Sequence, residues 1–421
     1  MDSLSYWADT TEKGKSYSDD PIPESVDCAI IGGGMTGISA AYYMASEGLK
    51  VALLEREHLG WGASTRNGGM AIPGIKYKVS ALFKQHGIDA TRRMFNASFE
   101  SVQLLKKLIA EKEIDCDLQE TGSFAAAYRP SHLKSLEKWQ RTLADNFGHS
   151  TRLVPPERMK EELGTNRYYG GLVDDASIGV HPAKFMFGMV RCADEAGASL
   201  HENAAAEDIQ RMAEGFEVKT ARGRIRAKEV LIATNGYTGA ATPELRRRVF
   251  PLGSYIMVTE PMDEALADRI IPKRRMIYDT KWVLFYFRIL PDNRMMFGGR
   301  VSFTRTNSQK SGRLLRKGMV ELFPEVAHLR VEYSWGGFLG MSFDRMAHTG
   351  QMEGMYYSMG YSGRGFSMAA YLGMKMAHII AGKEDATPFS DLDFPTMILY
   401  RKRPWFMPLA GTYYRFKDLV S

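Results

Sequence analysis

The chain has 421 residues, with 55 lysines and arginines against 49 acidic residues and a formal net charge of +6. That length suffices for a sizeable core and two domains. The mild charge, with no aromatic residues interleaved among the short basic runs (Arg246-Arg-Arg248, Lys273-Arg-Arg275, Arg401-Lys-Arg403), reads as solvated faces and gives no nucleic-acid partner. No apolar run approaches the ~18 residues of a membrane span, and the N-terminus lacks the basic and apolar regions of a signal peptide. Cys28, Cys116 and Cys192 have neither disulfide nor metal-ligand spacing. A cytoplasmic protein without a metal site is therefore expected.

Residues 8–24 are polar and end in Pro-Ile-Pro, which predicts an irregular arm. Cys28–Ile31 then reads as a buried strand, followed by glycines at Gly32, Gly34 and Gly37 and a helix carrying Ile38, Ala41 and Met44 on one face. This is the G-x-G-x-x-G arrangement. The first glycine permits a tight turn, the second a close approach of pyrophosphate, and the third close packing of helix on strand. The helix N-terminus aims N–H groups and a partial positive charge at phosphate. Val51–Glu55 predicts a second strand, with Glu55 roughly 20 residues past the turn, where a carboxylate receives ribose hydroxyls. Strand, turn, helix, strand and acid in register predict dinucleotide binding.

Further along, residues 90–112 read as a helix with Phe95, Phe99, Val102, Leu105 and Ile109 in register. Ser123–Tyr128 reads as a strand and Leu133–Phe147 as a helix. His181 stands just before Pro182, the first position of another helix, where it reads as the cap and so as structural. Short strands are expected over 198–206, 216–220 and 223–226. Val230–Gly236 is a continuous apolar strand of a covered parallel sheet. Residues 250–305 turn strand-rich, alternating and aromatic, as antiparallel sheet does. The strands are Pro251–Glu260, Trp282–Leu290 and Arg294–Arg300, with Val331–Trp335 beyond. A last helix runs from Gly365 to about Ala381. The expected fold is α/β: a Rossmann-like parallel-sheet domain (1–80, 150–245 and 330–421) with an inserted α+β substrate domain on a largely antiparallel sheet (81–149 and 246–329).

Four segments in this order (the Gly32–Gly37 turn, Gly62-Ala-Ser-Thr-Arg-Asn-Gly-Gly69, Ile232-Ala-Thr-Asn-Gly-Tyr237 and Gly360-Tyr-Ser-Gly-Arg-Gly-Phe366) resemble the D-amino-acid oxidase superfamily of FAD-dependent oxidoreductases. Ser5-Tyr-Trp7 and Gly253–Pro261 are most similar to its gamma-glutamylputrescine oxidase branch. The resemblance spans nearly the whole chain. It implies FAD held by Gly32, Gly34, Met35, Thr36 and Gly37 at the pyrophosphate and by Glu55 and Arg56 at the ribose. Gly62, Ala63, Ser64, Arg66, Asn67, Gly68, Gly69 and Met70 would run along the ring system, with Ala206 near the adenine. Thr234, Asn235 and Gly236 close the parallel strand. Gly360, Ser362, Gly363, Arg364, Gly365 and Phe366 would face the pyrimidine edge, where a helix N-terminus stabilises the negative charge of a reduced flavin.

The resemblance further implies hydride transfer from the carbon beside a neutral amine nitrogen to flavin N5, hydrolysis of the imine, and reoxidation by O2 to hydrogen peroxide. The cofactor carries the chemistry, while the protein orients, dries and tunes. Sarcosine oxidase grips its substrate carboxylate with basic residues at places corresponding to about Gly69 and Ser367, and neither is basic here. An extended amine, such as a polyamine or gamma-glutamyl-polyamine derivative, is expected instead. The attachment histidine of the loop is replaced by Arg66 and Asn67, and no cysteine follows Cys192, so FAD is expected to be non-covalent. Met296 stands where sarcosine oxidase has its oxygen-activating lysine. A dehydrogenase using another acceptor, or a flavoprotein without turnover, are the alternatives. In a strand alternate residues share a face, so Trp282, Leu284, Tyr286 and Arg288 form the expected pocket face and Val283, Phe285 and Phe287 the core face. Trp282, Tyr286, Arg288 and Tyr255 are the candidate substrate-site residues, and Arg288 is expected to anchor a distant substrate carboxylate. Lys281, Asp344, Arg345 and His348 are further polar candidates.

Overall fold

The computed structural model describes residues 4–12, 14–75, 79–299, 307–390, 392–397, 400 and 404–420. Arg300 to Arg305 of the expected strand region, and the basic run Arg401-Lys-Arg403, lie outside the described residues.

Two large sheets organise the chain. In the first, the buried Ser25–Ile31 strand pairs in parallel with Val51–Leu54 on one side and Gly223–Ile232 on the other. Ser199–His201 and Met355–Met359 extend this parallel core, and His348–Met352 closes one edge antiparallel. Phe216–Thr220 and Ala206–Arg211 add an antiparallel annex. Gly223–Arg226 and Val230–Ile232, expected as separate strands, are one continuous strand, because its first half pairs with the annex and its second half with the parallel core.

Cys28, Ala29, Ile30, Val51, Leu53 and Leu231 are all but fully buried, as strands covered on both faces must be. The Met35–Ser46 and Gly365–Ile380 helices pack over this core. Ser39 Oγ donates to Ala370 O at 2.6 Å. A side chain at Gly373 would collide with the Thr36 carbonyl, so only glycine allows this helix pair to approach so closely.

The second sheet runs Val331–Ser342, Val249–Pro261, Arg294–Gly299, Phe285–Ile289, Met276–Asp279, Ser123–Ala126, Gly171–Asp174 and Arg152–Val154. All its neighbours are antiparallel except Met276–Asp279 with Ser123–Ala126. The α/β class with a parallel and an antiparallel sheet is as expected. The boundaries drawn at 150 and 330 need correction: Arg152–Val154, Gly171–Asp174 and Val331–Ser342 belong to the antiparallel sheet. Strands this short, or interrupted by Gly336, Gly337 and Gly340, carry too little periodic pattern to be assigned to a sheet from sequence.

Helices form at Ile88–Glu111 and Pro130–Phe147, close to expectation. At Pro182–Glu195, His181 caps the N-terminus by accepting the Lys184 N–H on its side chain. Phe287 is fully buried, with Phe285 packed partly buried in the same cluster, so the core face of that strand is as read from its alternation.

Candidate active site

The parallel sheet ends in a tight turn that only glycine permits. Gly32 has φ +113°, and a Cβ there would sit 3.0 Å from the Ala233 carbonyl. Gly37 packs so closely under this turn that any Cβ would overlap the Gly32 carbonyl oxygen. Glu55 is pinned at both oxygens, accepting the Gly33 N–H at 2.7 Å and the Glu57 N–H at 2.9 Å. Ser64 Oγ accepts the Met35 N–H at 2.8 Å and ties the next loop to the helix N-terminus.

That loop is held almost wholly through its backbone. Asn67 donates to Ala63 O and Ser64 O (3.1 and 2.8 Å) and accepts from the Gly69 N–H at 2.7 Å. Two indoles from distant elements grip its carbonyls: Trp7 Nε1 donates to Asn67 O at 2.8 Å and Trp335 Nε1 to Arg66 O at 3.0 Å.

A cavity of about 440 Å³ runs between the two sheets. Of the residues expected at a cofactor, Gly32, Gly34, Met35, Thr36, Glu55, Arg56, Gly62, Ala63, Ser64, Arg66, Asn67, Gly68, Met70, Ala206, Thr234, Asn235, Gly363, Arg364, Gly365 and Phe366 line it. Gly37, Gly69, Gly236, Gly360 and Ser362 stand behind the wall. Gly236 backs on the Gly340 backbone, the Gly360 N–H donates to Asn235 Oδ1 at 3.0 Å, and Ser362 Oγ donates to Gly360 O at 3.0 Å.

The opposite end is built from side chains. Tyr278, Leu284, Tyr286 and Ser254 line it with Arg364 and Phe366. Tyr286 Oη and Ser254 Oγ are 3.1 Å apart. Arg364 Nη1 donates to Ile72 O at 3.0 Å, its guanidinium lies 5.8 Å from the Tyr278 ring centre, and its buried Nε–H meets no protein acceptor. Asp279 sits at the margin of this end. Burial pushes its carboxyl up to about 6, against the pull of Lys281 Nζ at 3.0 Å. Ser367 lines the cavity but its oxygen accepts from Ser101 Oγ at 2.9 Å.

Three expected substrate-site residues stand elsewhere. Arg288 is 1% exposed and does not border the cavity. Its Nη1 donates to Gln119 Oε1 at 3.0 Å and its Nη2 to Val180 O at 2.6 Å, behind Gly69. Trp282 precedes the Phe285–Ile289 strand, so the alternation rule never applied to it. It stacks on Tyr414 of the Met407–Val420 helix, ring centres 5.3 Å apart, and is 39% exposed. Tyr255 faces the antiparallel core, its ring filling the space above Gly336, while its neighbour Ser254 takes the cavity side. Tyr286 alone of the four lines the cavity. His348 is buried under Phe394 in the parallel sheet, its Nε2 3.0 Å from Asp344, and Arg345 is exposed. These three are not part of the site.

Sequence reasoning missed Trp61, Tyr237, Tyr278, Gly337 and Gly340, all in the lining. Three glycines within one strand were a usable sign of close approach; Tyr278 had none.

The arrangement fits FAD. A glycine turn and a pinned carboxylate stand at one end, and two helix N-termini (Met35–Ser46 and Gly365–Ile380) point along the cavity. Parallel and antiparallel sheets meeting over such a cavity define a flavoprotein oxidoreductase. The chain belongs to the DAO family of FAD-dependent oxidoreductases, whose family model matches residues 27–379.

It is 30% identical to gamma-glutamylputrescine oxidoreductase of Escherichia coli (strain K12), over 99% of this chain and 98% of that protein. It is 29% identical to the probable oxidoreductase OrdL of Haemophilus influenzae, over 93% of this chain and 92% of that protein. Among solved structures, glycine oxidase from Geobacillus kaustophilus shares the fold with a TM-score of 0.77 at 19% identity, covering 89% of this chain and all (100%) of that one. The chain is thus an FAD-dependent oxidoreductase acting on C–N bonds of amines or amino acids. No helix among the described residues is long and apolar enough to cross a membrane.

Proposed function

We propose that the chain oxidises the C–N bond of an extended amine, a polyamine or gamma-glutamyl-polyamine derivative, with O2 as the final acceptor. The observation that carries this reading is that neither Gly69 nor Ser367, the two places where sarcosine oxidase grips a short substrate's carboxylate, can present a cation. Gly69 cannot carry a side chain, since a Cβ there would overlap Val180 O, and Ser367 is a buried serine committed to Ser101. The gamma-glutamylputrescine oxidoreductase likeness points the same way.

Bound FAD supplies the two-electron oxidation. The protein's part is binding, orientation and exclusion of water. The aromatic walls Tyr278 and Tyr286 would desolvate the amine and lower its pKa, favouring the neutral form. Arg364 is the cation positioned to receive a carboxylate at the far end of a long substrate, in place of Arg288. FAD is held without a covalent link, since Arg66 and Asn67 occupy the loop. Cys28, Cys116 and Cys192, all free and buried, suit a reducing cytoplasmic setting.

A second reading, a dehydrogenase that passes electrons to an acceptor other than O2, is favoured by Met296. This uncharged, fully buried residue abuts Gly68 of the loop. One experiment addresses both readings: anaerobic flavin bleaching by a panel of amines, then admission of air. Bleaching by long amines and rapid recolouring in air are expected. Bleaching by sarcosine or glycine alone would overturn the substrate reading, and bleaching without recolouring would select the dehydrogenase.

A further inference from the structure

Arg288 is the largest polar side chain in the interior, and neither substrate binding nor an ion pair accounts for it. It is 1% exposed. Its two terminal nitrogens meet neutral acceptors, Gln119 Oε1 at 3.0 Å and Val180 O at 2.6 Å, and its Nε–H meets none. Among the described residues no carboxylate lies within ion-pair distance. Asp117, the carboxylate that acts on it from a distance, lines the same small recess but is already held by Lys184 Nζ at 2.8 Å. Trp7 covers the guanidinium on one side, with the ring centre 5.7 Å away, and His181, which burial holds neutral with its pKa lowered to about 4, lines the same small recess. Burial lowers even the arginine pKa, to about 10. An uncompensated buried cation is costly. A leucine or methionine would fill such a place without that cost, so the charge asks for a counter-charge not yet in the fold.

The position of the guanidinium says where that counter-charge lies. Nη2 is 2.8 Å from the point where a Gly69 Cβ would stand, and Gly68, next in the chain, lines the cavity. The backbone of these two glycines stands between the charge and the cavity. The connection is rigid: Val180 O accepts from Arg288 while the Val180 N–H donates to Gly69 O at 2.8 Å. In so dry a setting, a unit charge acts over several ångströms with little screening.

We propose that Arg288 is a positioning and electrostatic residue of the cofactor site. It sets the reduction potential of bound FAD by supplying, through the Gly68–Gly69 wall, the positive charge that stabilises the more negative, reduced cofactor. This rests on FAD occupying the cavity and is independent of which amine is oxidised. It assigns Arg288 no contact with substrate.

The test uses the purified holoenzyme and an equilibrium reductive titration. Gln119→Glu places a carboxylate on Arg288 Nη1 with almost no change in shape. It neutralises the charge, and the ion pair it adds offsets the Gln119 Nε2–H bond to Ile289 O (3.3 Å) that it gives up, so the protein still folds. The proposal expects this variant to shift the oxidised-to-reduced balance at least tenfold toward oxidised FAD, equivalent to a potential lower by ~30 mV for a two-electron couple. Arg288→Gln shifts it in the same direction, and Arg288→Lys, which keeps the charge, shifts it less than threefold. A purely structural Arg288 gives a different pattern: Gln119→Glu changes the melting temperature alone and leaves the potential unchanged. That result overturns the proposal, as does an Arg288→Lys shift as large as that of Arg288→Gln. A purified protein without flavin to titrate would instead contradict the cofactor assignment itself.

Discussion

The two ends of the cavity are built on different principles. At the Gly32–Gly37 end almost every contact is backbone: Glu55 holds the Gly33 and Glu57 N–H groups, Ser64 the Met35 N–H, and two tryptophans the carbonyls of Arg66 and Asn67. At the Tyr278–Tyr286 end the lining is side chains on strand ends and a connecting loop, and that loop is held from outside by the Met407–Val420 helix. The first design fixes a ligand common to a whole family through geometry that only glycine tolerates. The second leaves room for substrate choice to change without disturbing the first. If so, substitutions should separate cleanly into those that cost FAD and those that cost substrate.

The largest effect should come from Gly37→Ala. Its methyl would overlap the Gly32 carbonyl, both partners being backbone in a buried turn. Relief requires the helix to move off the strand, at a cost upwards of about 3 kcal/mol. The expected outcome is protein without bound flavin, read as visible absorbance per chain. Full occupancy would mean the turn is more compliant than its packing implies.

Next comes acid. His181 caps the Pro182–Glu195 helix through an unprotonated ring nitrogen, and it adjoins Val180, which supports Gly69. Burial lowers its pKa from 6.5 to about 4. The folded state therefore binds fewer protons than the unfolded one between these values. The stability it contributes is complete above 6.5 and is lost as pH falls toward 4, on the order of 3 kcal/mol. Melting temperature should drop across this window. His181→Asn, which can still cap, should flatten the profile. A profile of unchanged steepness in the variant would place the acid lability elsewhere.

The same contrast explains what could be read from sequence. The cofactor end was legible because its constraints act on residues close in the chain: a Gly32 turn, a Gly37 that must pass under it, and Glu55 closing the next strand. Strand alternation also sorted Phe285 and Phe287 correctly to the core. It failed for Trp282, since the strand starts only at Phe285, and for Arg288, which shares the face of Tyr286 but lies further along, where the cavity has already ended behind Gly69. Tyr255 could be oriented only by knowing that Gly299 and Gly336 flank it across the sheet. Residues whose role depends on the register of partners far away in sequence carry no local mark of it.

The smallest effect, and the sharpest test of the contrast, is expected at Asp418. Its carboxylate accepts the N–H groups of Trp282 and Val283, at 2.7 and 2.9 Å, and so holds the loop that delivers Leu284 to the cavity. Neither Asp418 nor the two N–H groups touch the cofactor end. Asp418→Ala removes two charge-assisted hydrogen bonds at a partly exposed place, where the helix can still lean on the stacking of Tyr414 with Trp282. A loss of about 1 kcal/mol in ordering the loop follows. It should appear as a roughly fivefold rise in KM for the best amine, that being about the factor 1 kcal/mol represents. FAD affinity and the reduction potential should not move, because the loop reaches only the substrate end. If FAD affinity falls together with KM, the outer helix braces the whole cavity and the two ends are one mechanical unit. If neither changes, the Met407–Val420 helix is ornament to the loop, and Leu284 is held by the Phe285–Ile289 strand alone.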